Sequence, residues 1–406
     1  MARDGFDVVI AGASIAGCAA ARLFALSGAR VALVEQRPDP AAYKVACTHQ
    51  VQSSAVPTIG RLGLAPLLHR AGAVRSRAAS WTPHGGWLRF PADAPPGYGI
   101  TRRRLDPILR ALAVETTGVE YLPGRGVVGL LRDRERVDGV EVEGRDQKRN
   151  TLRARLTVAA DGRDSTIARL ARVPARVRSH NRFVYFAYWR GVRSPPDEAR
   201  LWLLDPDAAA VFPNEDGITL IAAMGHKARL SEFRADPESA YLRMLDGLPD
   251  GPGLDGAERV SKLIGKLDVP NKMRSPARPG VAFVGDAALA TDPLFGVGCG
   301  WAFQSAEWLV GETGPALLGD GDLAGALDRY RRGLRRRLGP HHMQIADYST
   351  GRPMRVNERI ALRAAASDSV VGGAIERFAT RRGGIMTLLD PRLAARVLRA
   401  GVRYAG

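Results

Sequence analysis

The sequence predicts an α/β protein built on a parallel sheet, and three observations predict it. Val8, Val9 and Ile10 form an apolar run that stops at Gly12 and passes at once into helical periodicity. A second apolar run, Val31–Val34, ends in Glu35. Two later apolar strands end in Asp161-Gly162 and Gly285-Asp286, and each leads into a helix start. Strand, glycine turn, helix, strand and acid make the first βαβ unit of a dinucleotide-binding fold.

Each residue of that unit has a physical task. Gly12 permits the tight turn, and small Ala13, Ser14 and Ala16 let backbone approach a pyrophosphate. Ile15 opens the apolar helix face that continues through Ala19, Leu23 and Leu26. Gly17 lets helix and strand pack closely, and the helix N-terminus offers N–H groups and a positive dipole end to phosphate. Glu35 stands 23 residues after Gly12, near the spacing at which a carboxylate meets a ribose hydroxyl. Ser14 takes the place of the usual middle glycine, which is acceptable if its φ is negative. Arg37 is expected near the adenosine end of a cofactor.

Composition bounds the rest. The chain has 406 residues, enough for two or three lobes, and its 45% apolar content is that of a globular protein. No apolar run approaches a membrane span, and the first strand begins too early for a signal peptide. Cys18, Cys47 and Cys299 are odd in number and far apart, which argues against a disulfide framework or zinc site and for the cytoplasm. The formal net charge of +17 comes mostly from scattered arginine. With no nucleic-acid motif present, it favours an anionic cofactor or substrate over nucleic acid or membrane. The basic stretch Tyr330–Arg337 is expected to be a solvated helix face, and adjacent His341 and His342 point differently and do not suit a shared metal site.

Along the chain, Cys47, Thr48 and His49 are close in sequence without forming a nucleophile signature, so a structural role is the expectation over contact with cofactor or substrate. A helix is expected from Arg103 to Val114, then strands near Val119–Leu122, Gly126–Leu131, Val137–Val142 and Leu152–Ala159. Phe183, Tyr185, Ala187 and Trp189 alternate with Val184, Phe186, Tyr188 and Arg190, a strand with aromatics on both faces that suits a planar or lipophilic substrate. Asp216-Gly217 signals a hairpin, and a helix from Pro237 to Leu248 should cover the sheet. Helices are expected at Leu323–Leu338, Val356–Ala366, Gly373–Thr380 and Pro391–Val402.

The three motifs, in this order, resemble the flavoprotein monooxygenases of the aromatic hydroxylase class, whose superfamily also holds flavin halogenases and geranylgeranyl reductases. Gly12-Ala-Ser-Ile-Ala-Gly17 matches the family's FAD pyrophosphate motif. Ala160-Asp-Gly-Arg-Asp-Ser165 with Arg169 matches its second motif, associated with FAD and reduced nicotinamide. Gly285-Asp286 matches its third, where the aspartate meets the ribitol or ribose region. The resemblance, over about residues 5–310, implies further cofactor contacts at Glu35, Gln36, Arg37, Arg102, Val127, Asp161, Pro293, Gly296, Val297 and Gly298. Arg102 would lie near the phosphates, Val127 near adenine and the Gly296–Gly300 loop near the flavin's pyrimidine edge. Leu289 replaces a common His, and Cys299-Gly300 stands where Asn is usual. Asp292-Pro-Leu-Phe-Gly leans toward the halogenase and reductase branches, but halogenases carry a Trp-x-Trp-x-Ile-Pro signature that this chain lacks.

The resemblance implies a Rossmann-like FAD-binding domain (1–75, 98–178 and 268–322), an inserted mixed β-sheet substrate domain (76–97 and 179–267) and a C-terminal helical region (323–406). It implies an FAD-dependent monooxygenase that hydroxylates or epoxidises a small aromatic or polyketide-like molecule through a flavin hydroperoxide, with O2 and NAD(P)H. No second Rossmann fingerprint is present, so NAD(P)H docks transiently or a flavin reductase supplies electrons. The alternatives are an FAD-dependent reductase of an isoprenoid or other lipophilic substrate, a halogenase and a non-redox flavin-binding cyclase. No catalytic acid or base is assigned.

Overall fold

The computed structural model describes residues 5–319 and 321–402; residues 1–4, 320 and 403–406, which the expected domain boundaries include, lie outside them. The main elements, in chain order, are β1 (Phe6–Ala11), α1 (Ile15–Leu26), β2 (Val31–Glu35), α2 (Arg102–Val114), β3 (Val119–Pro123) and β4 (Arg149–Ala159). Then follow β5 (Arg182–Arg190), β6 (Ile218–His226), β7 (Val281–Phe283), α3 (Gly298–Leu318) and α4 (Leu323–Tyr348). The chain ends in α5 (Val356–Ser367), α6 (Ser369–Ala379) and α7 (Pro391–Val402).

The first sheet runs β7-β4-β1-β2-β3, all parallel. Val8, Val9, Ile10, Leu33 and Val158 are fully buried, as expected for central strands covered on both faces. β4 is long because it serves two partners. Its first half pairs antiparallel with strand Arg136–Gly144 and its second half parallel with β1. Helix α1 lies between the sheet, α2 and α3, which suits its run of Cys18, Ala19, Ala20 and Ala21, all buried.

The second sheet is a ten-stranded mixed layer containing β5 and β6. It also recruits strand Val74–Thr82, which runs parallel to Glu198–Leu203. Asp216 and Gly217 both have positive φ at the turn into β6, the hairpin chemistry their sequence signals. On β5 the period of two separates two rows. Phe183, Ala187 and Trp189 face helices Leu230–Ala235 and Pro237–Asp246, packing with Phe233 and Tyr241. Val184 and Phe186 face the other way, with Leu220, Ala222 and Met224 of β6.

Helix α4 extends ten residues past its expected end at Leu338, through Pro340. Its Leu327, Tyr330, Leu334 and Ile345 belong to the first core, and the Tyr330 hydroxyl donates to the Phe283 carbonyl at 2.7 Å. The C-terminal region therefore begins as part of the nucleotide-binding core, and α5, α6 and α7 form a satellite cluster. Among the described residues, no helix is long and apolar enough to cross a membrane.

Two predictions follow from this packing. A Cβ at Gly17 would lie 1.7 Å from the Gly12 carbonyl oxygen, so the helix must move away from the turn. Gly17→Ala should cost on the order of 2–4 kcal/mol, read as a lowered thermal midpoint with and without added FAD. His341 is buried against Phe378 and its Nδ1 accepts a hydrogen bond from Arg381 Nη1, and burial with that cation holds its pKa down to about 3. The unfolded chain binds this proton below about 6.5 and the folded chain does not. Stability should therefore be full above that pH and fall as pH drops toward 3; urea midpoints across that window should fall less steeply in His341→Gln.

Candidate functional site

A cavity of about 720 Å³ opens where the C-terminal ends of β1, β2, β4 and β7 meet the Val184–Phe186 row of the second sheet. Every cofactor residue expected from sequence lines it except Ala13 and Gly17. Those two act from behind. Ala13 donates its N–H to Glu35 Oε2 at 2.8 Å, and Gly17 packs on the Gly12 carbonyl and the Ala160 methyl. Ser14 has φ −108°, the negative value the serine substitution requires. Its Oγ does not cap α1 but accepts from Arg102 Nη2 at 2.6 Å, so the first turn keeps the uncapped N–H groups an anion needs.

Arg102 organises this floor. It begins α2, is 3% exposed and forms a two-pronged ion pair with Asp106 one turn on, at 2.6 and 2.9 Å. A bidentate arginine pair fixes the guanidinium plane. Arg110, one turn beyond Asp106, donates to the Ala13 carbonyl and to those of Pro40 and Ala42, fastening the 40–42 loop to the glycine turn. Glu35 Oε1 accepts from the Arg37 backbone, so Gln36 and Arg37 are held at the cavity wall.

The second and third motifs close the opposite side. Asp161 Oδ2 accepts the Ile167 N–H at 3.0 Å, so the aspartate does cap the short helix Thr166–Leu170. Its Oδ1 is buried without a hydrogen-bond partner among the described residues. An unpartnered buried oxygen on a cavity wall fits a hydroxyl-bearing cofactor. Asp286 meets Lys44 at 2.9 Å; burial raises its pKa, but Lys44 and Arg163 hold it below the ordinary carboxylate range. Gly296 has φ +59°, which favours glycine, at the start of the loop that leads into α3.

Sequence reasoning missed one arrangement. Cys47 and Cys299, 252 residues apart, lie with sulfurs 3.5 Å apart, and both line the cavity. Cys47 Sγ also accepts from the His49 N–H at 3.3 Å and faces Arg102 Nη1 at 3.8 Å. The Cys299 contact holds the Cys47 pKa well below the ordinary thiol range against the opposing effect of burial, and His49 and Arg102 help. Cys299 is raised by the same contact. Cys47, for which a structural role was the expectation over cofactor or substrate contact, lines the cavity. Lys44 and Arg110 were also unassigned, because their side-chain partners lie 68 to 242 residues away.

His49 sits at φ +59° and joins the start of α2 to the second sheet. Its Nδ1 accepts the Arg102 backbone N–H at 2.9 Å, so in the neutral ring Nε2 carries the proton. That N–H donates to the Tyr188 hydroxyl at 2.5 Å, leaving the phenolic proton free to point elsewhere.

Comparison with known proteins now has this geometry to explain. The FAD binding domain family matches residues 5–339. The chain belongs to this family. It is 30% identical over 335 residues to a digeranylgeranylglycerophospholipid reductase of Methanopyrus kandleri, covering 80% of this chain and 85% of that protein. It is 29% identical to menaquinone reductase of Mycobacterium tuberculosis, covering 81% and 82%. The structure of a geranylgeranyl bacteriochlorophyll reductase-like protein from Thermoplasma acidophilum superposes with a TM-score of 0.74 at 18% identity, covering 97% and 99%. The superfamily resemblance read from sequence therefore holds, and this flavoprotein is an FAD-dependent oxidoreductase.

The thiol geometry is directly testable. Iodoacetamide labelling of Cys47 in FAD-free protein should reach half its maximal rate at a pH below that of an ordinary thiol. Arg102→Met or Cys299→Ser should move that midpoint upward, and added FAD should protect the site. Labelling is read peptide by peptide by mass spectrometry.

Proposed function

We propose that this flavoprotein reduces a carbon–carbon double bond of a lipophilic, isoprenoid-like molecule. The observation that carries the reading is the wall opposite the glycine loop. Val184, Phe186, Leu220, Ala222 and Met224 form an aliphatic surface in which Phe186 is the only aromatic side chain. Three of the five aromatics of β5, Phe183, Tyr185 and Trp189, pack on the far side of the sheet, while Tyr188 shares the face of Phe186 beyond the cavity-lining residues, so the expected aromatic wall is mostly core. An aliphatic wall suits a branched chain better than a planar aromatic ring. The reductases to which the chain is similar support the same reading.

When bound, FAD supplies hydride-level redox chemistry. Gly12, Ser14 and Ala16 with the α1 N-terminus would hold its pyrophosphate, Glu35 and Asp161 its hydroxyls, and the Gly296–Gly298 loop its ring edge. The protein's remaining tasks are to orient the substrate, exclude water and deliver a proton to the second carbon. Tyr188 follows Val184 and Phe186 on the same face of β5, and burial first among causes pushes its pKa up. With His49 donating to its oxygen, the Tyr188 hydroxyl would keep its proton and supply it to the substrate. Reduced nicotinamide, or a separate reductase, would restore the electrons.

Oxygenation is the second reading. It rests on Ala160–Ser165 and Arg169, which match the hydroxylase motif associated with FAD and reduced nicotinamide. The two separate cleanly by product mass. The reduced holoprotein, mixed without air with a menaquinone or a digeranylgeranylglycerophospholipid, should yield product heavier by one H2 per double bond. A product gaining an oxygen atom only in air would overturn reduction in favour of oxygenation. Tyr188→Phe should retain FAD and substrate binding while losing roughly 10²-fold in turnover.

A further inference from the structure

Helix α7 is apolar on the wrong side as well as the right one. Leu393, Val397 and Ala400 turn inward onto α5 and α6. In a surface helix the opposite face carries charge. Here the opposite face carries Pro391, Ala394, Ala395 and Leu398, all exposed, with Leu398 at 62%. The segment entering the helix adds two more exposed apolar side chains, Met386 at 73% and Leu389 at 61%. Arg392, Arg396 and Arg399 form a stripe along one flank. Residues 377–402 contain six arginines and one acid, Asp390. Arg396 pairs with Asp368, while Arg392 and Arg399 make no ion pair among the described residues.

We infer that the face formed by Met386, Leu389, Pro391, Ala394, Ala395 and Leu398 docks this flavoprotein on an anionic lipid bilayer. An interfacial helix buries an apolar face at the headgroup–acyl boundary and keeps its basic residues among the headgroups, and α7 has both parts at the required angle. Charge decides the occupant. In a two-fold contact the same patch meets itself, which would bring the arginine stripes of two copies together. A bilayer bearing phosphate headgroups offers the stripe opposite charge instead, with each arginine near the surface adding attraction. The basic stretch of α4 is not needed for this contact; the sequence pattern of α7 shows both apolar arcs, but only the packed structure shows that one is left outside.

The test is co-sedimentation of the holoprotein with vesicles of phosphatidylcholine, with or without about one third phosphatidylglycerol. The protein should pellet with the anionic vesicles and be released by salt. A Met386→Glu, Leu389→Glu, Leu398→Glu variant should lose roughly tenfold or more in partitioning while its flavin content stays unchanged. Arg392→Gln with Arg399→Gln leaves the apolar face intact and should weaken only the preference for anionic vesicles, which keeps the test valid if the triple variant misfolds. Three results would overturn the proposal: no sedimentation with either vesicle, equal partitioning of wild type and both variants, or a wild-type dimer that the glutamate variant converts to monomer. Partitioning is measured without turnover, so it stands or falls apart from the reductase reading.

Discussion

The structure depends on one close approach. The turn after β1, the first turn of α1 and the end of β4 meet with no room for side chains. A Cβ at Gly12 would lie 2.5 Å from the Ala160 carbonyl oxygen, and one at Gly17 1.7 Å from that of Gly12. Because these backbones touch, the N-terminus of α1 stands over the sheet edge, and Asp161, next after Ala160, is delivered to the same cavity. Gly285 repeats the constraint with positive φ, and its Cβ would lie 3.0 Å from Ala16. Three motifs far apart in sequence thus converge because each strand ends where bulk is excluded.

The second constraint is electrostatic. Arg102 lies buried beside Asp106, Ser14 and Cys47. A charge so placed is tolerable only when paired and hydrogen-bonded. Its backbone also donates to His49, whose ring reaches Tyr188 on the second sheet. One residue at a helix start therefore links the glycine turn, the thiol pair and the second sheet. A change in any of these groups is felt by the others through short, buried contacts.

What was legible in the sequence follows from range. The glycines, Glu35, Asp161 and Asp286 announce themselves because each acts through local backbone geometry at a strand end. The Asp216-Gly217 hairpin did so for the same reason. The Cys47–Cys299 contact and the Lys44–Asp286 pair join segments more than two hundred residues apart, and no periodicity encodes them. The alternation on β5 revealed two faces, but not which would meet the cofactor. That choice was made by helices Leu230–Ala235 and Pro237–Asp246, whose Phe233 and Tyr241 claimed the richer aromatic row for the core. The end of α4 was misjudged because Pro340 reads as a stop, whereas packing of His341, His342 and Ile345 carries the helix on.

The cavity is thus assembled from two unlike surfaces. The nucleotide-binding side is lined by Glu35, Arg102, Asp161 and Asp286, groups that hold charge and hydroxyls in fixed positions. The facing side has a patch of aliphatic groups on a rigid antiparallel pair, β5 against β6, in register from Arg182–His226 to Arg190–Ile218. The first surface suits a polar cofactor, and the second is one against which an apolar chain would lose water. Since the register fixes every second residue on the wall, a one-residue slip would present Phe183 and Tyr185 instead and replace the aliphatic surface with aromatic rings. The character of this wall therefore resides in strand register as much as in any single side chain.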